Sequence, residues 1–173
     1  MALIFQYGSN MSSARLNSVD RLAGQAKVLT TGETTERFDL VFSVWSKSNN
    51  CAAADIAASA SGRRIYGVIY EVPDFLMSRE SAKSYGQNSM DAIEGEGVNY
   101  VRKEIQVVTA KGETRNATTY VVKDPKRGLK TSSQYVSYIL TGLNEHRFPA
   151  EYSAYVCAQI IKNNPALAPN FGS

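Results

Sequence analysis

Histidine is almost missing from this chain and cysteine is scarce: His146 is the single imidazole, and Cys51 and Cys157 are the two thiols in 173 residues. One histidine and no C-x-x-C pair exclude a zinc site of nitrogen and sulfur ligands. Two cysteines so far apart make no disulfide framework. They are expected as reduced, small, buried hydrophobes in a cytoplasmic protein. No basic leader runs into an apolar segment, so no secretory signal is expected. The glycosylation-like triplets Asn10-Met11-Ser12 and Asn116-Ala117-Thr118 then read as chance matches. No run of ~18 apolar residues is available to span a membrane. A large excess of one charge is lacking too. Nineteen Lys and Arg against 16 Asp and Glu leave +3, too little to argue for nucleic acid but in keeping with small anionic ligands. Gly95-x-Gly97 has no third glycine and no following helix, so it is no dinucleotide fingerprint. No nucleophile motif accompanies His146, so no catalytic triad is expected.

What is present suffices for one domain over residues 1–173. Hydrophobic residues make up 43%, a globular value that argues against disorder, and a chain this long buries roughly 70% of its unfolded surface. Strands are expected over 2–6, 26–31, 37–45, 52–58, 64–72, 99–108 and 114–122, from apolar runs and period-2 alternation. Turns are expected near Gly32-Glu33, at Gly62 and at Lys111-Gly112. Ser12 or Ser13 caps a short helix through Arg15 and Leu16. Pro73-Asp74 opens a helical region that runs in pieces to about residue 93, broken at Gly86. Two helices follow a basic loop at 123–130, one from Ser132 and one over 149–161, and the tail after Pro165 reads as loose. Strands, a helical insert and two terminal helices do not alternate strand–helix–strand, so a doubly wound sheet is disfavoured. The expected fold class is α+β: a small closed mixed β-barrel flanked by helices.

Two stretches carry chemistry. Tyr7-Gly8-Ser9-Asn10-Met11 follows the apolar run Ala2-Leu3-Ile4-Phe5. As a plain turn, it needs Gly8 for its backbone angles. As a site, a strand that stops at a glycine leaves backbone N–H groups free to face an anion or a developing oxyanion. The second stretch is Asp91-Ala92-Ile93-Glu94-Gly95. Glu94 sits at an element boundary beside glycines, where partial desolvation suits an acid/base near neutral pH. Taken alone it is as readily a solvated helix-end glutamate, and Glu96 is its local rival. The basic loop with Lys123, Lys126, Arg127 and Lys130 reads as a solvated loop that has the charge to touch phosphates. Asp55, inside an alanine-rich strand, needs a partner, and Arg63 or Arg64 is at hand.

These residues resemble the γ-glutamyl cyclotransferase family. Gln6-Tyr7-Gly8-Ser9-Asn10 resembles its Tyr-Gly-Ser-Asn motif. Tyr66-Gly67-Val68-Ile69-Tyr70 resembles its Gly-Val-aromatic strand. Met90-Asp91-Ala92-Ile93-Glu94-Gly95, with Tyr100 shortly after, is similar to its Leu-Asp-x-x-Glu-Gly segment, and Ser133-Gln134-Tyr135 to its approach to a late tyrosine. The resemblance covers nearly the whole chain in order. It implies Glu94 as the catalytic acid/base. It implies a substrate-binding set of Gln6, Tyr7, Gly8, Ser9, Asn10, Tyr100 and Tyr135, with no metal and no cofactor. The implied reaction releases 5-oxoproline from γ-glutamyl amino acids or γ-glutamylamines by attack of the substrate's own α-amino group. The alternative is a catalytically silent binding protein of the same fold that holds a small anionic ligand. The implied partner is a small γ-glutamyl substrate, without nucleic acid or membrane, and a homodimer stands as one option for assembly. Departures fall at 53–57, where the family's apolar run here contains Asp55, at Thr131-Ser132, where its proline is missing, and in the polar insert 78–89. All three lie where the leaving group would be chosen. A Tyr-Gly-Ser-leucine motif marks the glutathione-specific branch, and Asn10 disfavours it.

Overall fold

The computed structural model describes residues 1–171. Seven strands form: β1 (Ala2–Gln6), β2 (Lys27–Thr34), β3 (Phe38–Ser46), β4 (Cys51–Ala58), β5 (Tyr66–Val72), β6 (Tyr100–Thr109) and β7 (Thr114–Val122). Five α-helices accompany them: α1 (Ser13–Leu16), α2 (Arg79–Lys83), α3 (Met90–Glu94), α4 (Ser133–Glu145) and α5 (Ala150–Asn163). Five strands close a barrel in the order β1-β5-β2-β6-β7. Its pairs are antiparallel except where β1 meets β7 in parallel, at Ile4 and Thr118. This is the closed mixed barrel with flanking helices that the sequence predicts. β1 and β5 are covered on both faces, which explains their near-continuous apolar runs. The Thr119 hydroxyl reinforces the parallel seam by donating to the Phe5 carbonyl at 2.8 Å.

β3 and β4 stand apart as a two-stranded ribbon. A bulge between Phe42 and Val44 changes the strand's phase. It turns Ser43 inward, and its hydroxyl donates to Asp55 Oδ2 at 2.9 Å. The other Asp55 oxygen accepts the Val122 N–H at 2.9 Å. Neither Arg63 nor Arg64 serves Asp55: Arg63 pairs with Glu151 and Arg64 with Glu33.

Other expectations need correcting. No turn forms at Gly32-Glu33. β2 runs through to Thr34, and Gly32 is there because a Cβ would lie 2.6 Å from the Val107 side chain and the Val108 carbonyl. Gly8 has φ −111° and ψ −142°, outside both the extended and the left-handed regions, so the special angles expected of it are there without a positive φ. The tail after Pro165 forms a 3-10 segment, Pro165–Phe171, with Leu167 buried. Cys51 is buried but Cys157 is only partly so.

Helix ends follow local chemistry. Ser12, Ser89 and Ser132 cap α1, α3 and α4 by accepting N–H bonds from Arg15, Ala92 and Tyr135. Gly142 lets α4 lie directly on the Ser9–Met11 turn, since a Cβ there would come within 2.5 Å of Met11 Cβ. No helix among the described residues is long and apolar enough to cross a membrane.

Candidate functional site

β1 ends at Gln6, and the chain turns through a 3-10 segment, Ser9–Met11. The turn's own bonds run from Met11 N–H to the Gly8 carbonyl and from Ser12 N–H to the Ser9 carbonyl. The Ser9 and Asn10 amides open the segment, so the turn itself provides them no acceptor. His146 Nε2 lies 2.9 Å from the Met11 carbonyl and pins the far side of the turn to the end of α4.

Glu94 comes to this turn from far along the chain. It is the last residue of α3, which stops because Gly95 takes the left-handed conformation at φ +66°. Asn10 Nδ2 donates to Glu94 Oε1 at 2.9 Å, and Arg21 Nη1 donates to Asn10 Oδ1 at 2.8 Å. The Asn10 amide thus relays a cation to the carboxylate without placing a salt bridge on it. Burial raises the Glu94 pKa above the ordinary glutamate value. The Asn10 amide, the Arg21 charge, the Gln6 amide and the Arg15 charge pull it down, and burial wins.

Glu94 lines a cavity of about 310 Å³. Ser9, Asn10, Tyr100 and Tyr135 share its wall with Val44, Lys47 and Ala53 of the ribbon region. Gln6, Tyr7 and Gly8 do not reach the lining. They lie beneath it, with the Tyr7 hydroxyl donating to the Tyr120 carbonyl at 2.6 Å. Tyr100 OH donates to the Ala54 carbonyl at 2.7 Å, and the Ala54 N–H donates to Tyr135 Oη at 3.0 Å. Burial raises all three tyrosine pKa values, so Tyr7, Tyr100 and Tyr135 act as neutral hydroxyls. Glu96 stays outside the cavity lining and faces Arg79 at 3.6 Å. Geometry therefore separates the two glutamates that sequence chemistry left as rivals.

Arg15 and Arg21 line the same cavity. Sequence reasoning places Arg15 in a short helix and assigns Arg21 nothing. The available signal was a pair of cations just downstream of a candidate anion-binding turn. Lys126 and Arg127 of the basic loop line a different cavity, between that loop, β3 and α5. Among the described residues, no three His, Cys, Asp or Glu side chains cluster as a metal site would need.

Comparison with known proteins bears on the fold and the family. No curated protein sequence matches the chain. Among solved structures, one described as gamma-glutamyl cyclotransferase superposes with a TM-score of 0.73 at 23% identity, over 91% of this chain and 86% of that one. The uncharacterized human protein loc79017 gives 0.72 at 24% identity, with the same coverage of 91% and 86%. YkqA from Bacillus subtilis gives 0.71 at 19% identity, over 92% of this chain and 54% of that one. At these identities the likeness concerns the fold. The sequence profile of the family described as Gamma-glutamyl cyclotransferase, AIG2-like, matches residues 4–139, and the chain belongs to that family.

Proposed function

We propose that the protein releases 5-oxoproline from a γ-glutamyl compound, with Glu94 as the acid/base. The observation that carries this reading is the Asn10–Glu94 hydrogen bond of 2.9 Å at the wall of the cavity. It joins the turn after β1 to the one partly buried carboxylate of the lining.

The substrate brings its own nucleophile, so no serine or cysteine is needed. Glu94 takes a proton from the α-ammonium group. The freed nitrogen attacks the γ-carbonyl carbon and forms the five-membered ring. The bond from that carbon to the leaving nitrogen then breaks, Glu94 returns its proton to the departing amine, and the second proton shed by the ring nitrogen passes through the freed carboxylate to the same amine, which leaves as an ammonium ion. The raised pKa suits both halves of this exchange near neutral pH. The Ser9 and Asn10 amides supply fixed dipoles for the oxyanion or for the glutamyl carboxylate. The neutral Tyr100 and Tyr135 hydroxyls shape the wall. Folding the flexible glutamyl chain into an attack geometry supplies much of the acceleration.

The test is an assay for 5-oxoproline over a panel of γ-glutamyl amino acids and γ-glutamylamines. Release by wild type is expected to fall ~100-fold to ~10,000-fold in Glu94→Gln and to stay within a few-fold in Glu96→Gln. Tight binding of the same compounds with no product from wild type overturns the enzyme reading in favour of a silent binding protein.

A further inference from the structure

The basic loop after β7 has no part in the site around Glu94, yet it encloses a hollow of its own. Residues 126–129 arch between β3 and α5 and are fastened at both feet. The Lys126 N–H donates to the Ser43 carbonyl at 2.7 Å. Asn163 Nδ2 donates to the Leu129 carbonyl at 2.9 Å, and Asn163 Oδ1 accepts the Thr131 N–H at 2.8 Å. Gly128, at φ +77°, supplies a left-handed residue between the feet. The arch leaves a cavity of about 700 Å³ beside β3, a volume of the order that small organic ligands occupy.

Leu40, Val41, Phe42, Pro125 and Leu129 make much of the lining apolar, and the exposed Lys126, Arg127 and Lys162 join them. These three cations come from two elements, the loop and α5. None of them pairs with a carboxylate among the described residues. No Asp or Glu belongs to the lining, and Asp124, the loop's one acid, stays off it. Cations gathered without a counter-charge repel one another and favour an anion.

The edge of β3 argues for a small occupant. Phe38 exchanges both backbone bonds with Arg63, and the Leu40 N–H donates to Tyr155 Oη at 3.0 Å. Alternate residues of β3 therefore turn their backbone groups away from β4. Phe42 follows the same alternation, since Ala54 opposite it spends both its backbone groups on Tyr100 and Tyr135. Arg63 and Tyr155 close this edge before Phe42, and Lys126 closes it just after. An added peptide strand has no run of residues to pair with, whereas the Phe42 N–H is left for a single acceptor.

We infer that this cavity is a second ligand site, for a small amphipathic carboxylic acid whose apolar body lies against β3 and whose carboxylate meets Lys126, Arg127 and Lys162. It shares no lining residue with the Glu94 cavity, and it does not depend on the cyclotransferase reading.

The experiment titrates the whole protein with octanoate, acetate and 1-octanol by calorimetry, and locates octanoate by amide NMR. Wild type is expected to bind octanoate ~100-fold or more tighter than acetate, from burial of the added CH₂ groups. It is expected to bind octanoate ~10-fold tighter than 1-octanol, the size of one charged contact. The amide signals of residues 40–43 and 126–129 should move, and those of 92–95 should not. The triple variant Lys126→Ser, Arg127→Ser, Lys162→Ser is expected to bring octanoate down to the level of 1-octanol. Lys27→Ser, Lys83→Ser, Lys111→Ser removes the same charge from exposed positions elsewhere and should change octanoate affinity by less than about twofold, since salt screens distant charges. Equal affinity of wild type for octanoate and either control compound overturns the inference whether or not the variants fold. Equal weakening in the two triple variants also overturns it, by reducing the effect to overall charge. Movement of the 92–95 signals in place of the others overturns it by sending the acid to the Glu94 cavity. A polyglutamate peptide that moves the same amides at lower concentration than octanoate overturns it in favour of a protein-docking face.

Discussion

On the proposed reading, Glu94 is worth more to the reaction than to the fold. Burial raises its pKa, so the folded chain binds this proton more tightly than the unfolded chain does. Between the unfolded and folded pKa values the native state holds the extra proton, and stability must fall as pH rises through that window. Above the window, the ionised carboxylate is a standing penalty that Asn10 and Arg21 offset only in part. Glu94→Gln keeps an acceptor for Asn10 and removes the charge. It is expected to stabilise the protein at pH 8 by roughly 0.5–2 kcal/mol, as substitutions that relieve a functional site often do. The gain should vanish near pH 4, below the unfolded pKa, where both states are protonated. Thermal melts of the two proteins from pH 4 to pH 9 measure this. A variant less stable than wild type at pH 8 would mean that the Asn10 and Arg21 contacts outweigh desolvation.

At the scale of elements, α3 has five residues, too few to be stable alone. It is held from outside. Asp91, on its first turn, takes both Arg102 Nε at 2.8 Å and Nη2 at 2.7 Å, and accepts the Tyr120 hydroxyl at 2.9 Å. Arg79 donates to the Asp91 carbonyl at 2.8 Å. Glu94 is one helical turn further on, so Asp91 positions the carboxylate without touching the cavity. Asp91→Asn keeps one acceptor and loses the bidentate ion pair. Because the Arg102 side chain is 40% exposed, solvent screening limits the stability loss to about 1 kcal/mol. The rate loss is expected to be larger, ~10-fold to ~100-fold in kcat, because displacement of the proposed acid/base by a fraction of an ångström suffices. Steady-state kinetics beside urea titrations separate the two effects, and equal losses in folding and in rate would reduce Asp91 to a structural role. Much of this element scale was legible from the sequence. The barrel strands announce themselves as apolar runs or as alternation, and the glycines after Glu94 mark the end of α3, whereas its start at Ser89 was not read apart from the longer helical region expected from Pro73. Gly32 misleads, because glycine punctuates turns and also permits close strand approach, and only Val107 on the neighbouring strand decides between them. Asp55 misleads for the same kind of reason. Its partners arise from a bulge at Ser43 and from the N–H of Val122 in a distant strand, whereas Arg63 and Arg64 were merely near in sequence. Arg15 and Arg21 had no legible role, since a cavity wall assembled from separate segments gives no periodic pattern.

For the molecule as a whole, the question is how the ribbon of β3 and β4 stays seated on the barrel that carries Glu94. The Ala54 backbone is the joint: β6 holds its carbonyl through Tyr100, and α4 accepts its N–H through Tyr135. All three residues are buried. One residue of the ribbon is therefore tied at once to the barrel and to a terminal helix, and these same tyrosines line the cavity. The site and the joint are a single construction, so loosening one loosens the other. Tyr135→Phe strands the Ala54 N–H in a dry place, and Tyr100→Phe does the same to its carbonyl. Each is expected to cost about 1–3 kcal/mol, the penalty for a buried polar group left without its partner. The double variant should cost less than the sum, because the first change already frees the ribbon to reach water. Urea midpoints at an unchanged slope provide the measurement. Full additivity would show two independent contacts where one shared joint is expected. No cost in either single variant would show that the ribbon is held by its other bonds, those of Asp55 and of the Leu40 N–H to Tyr155 among them.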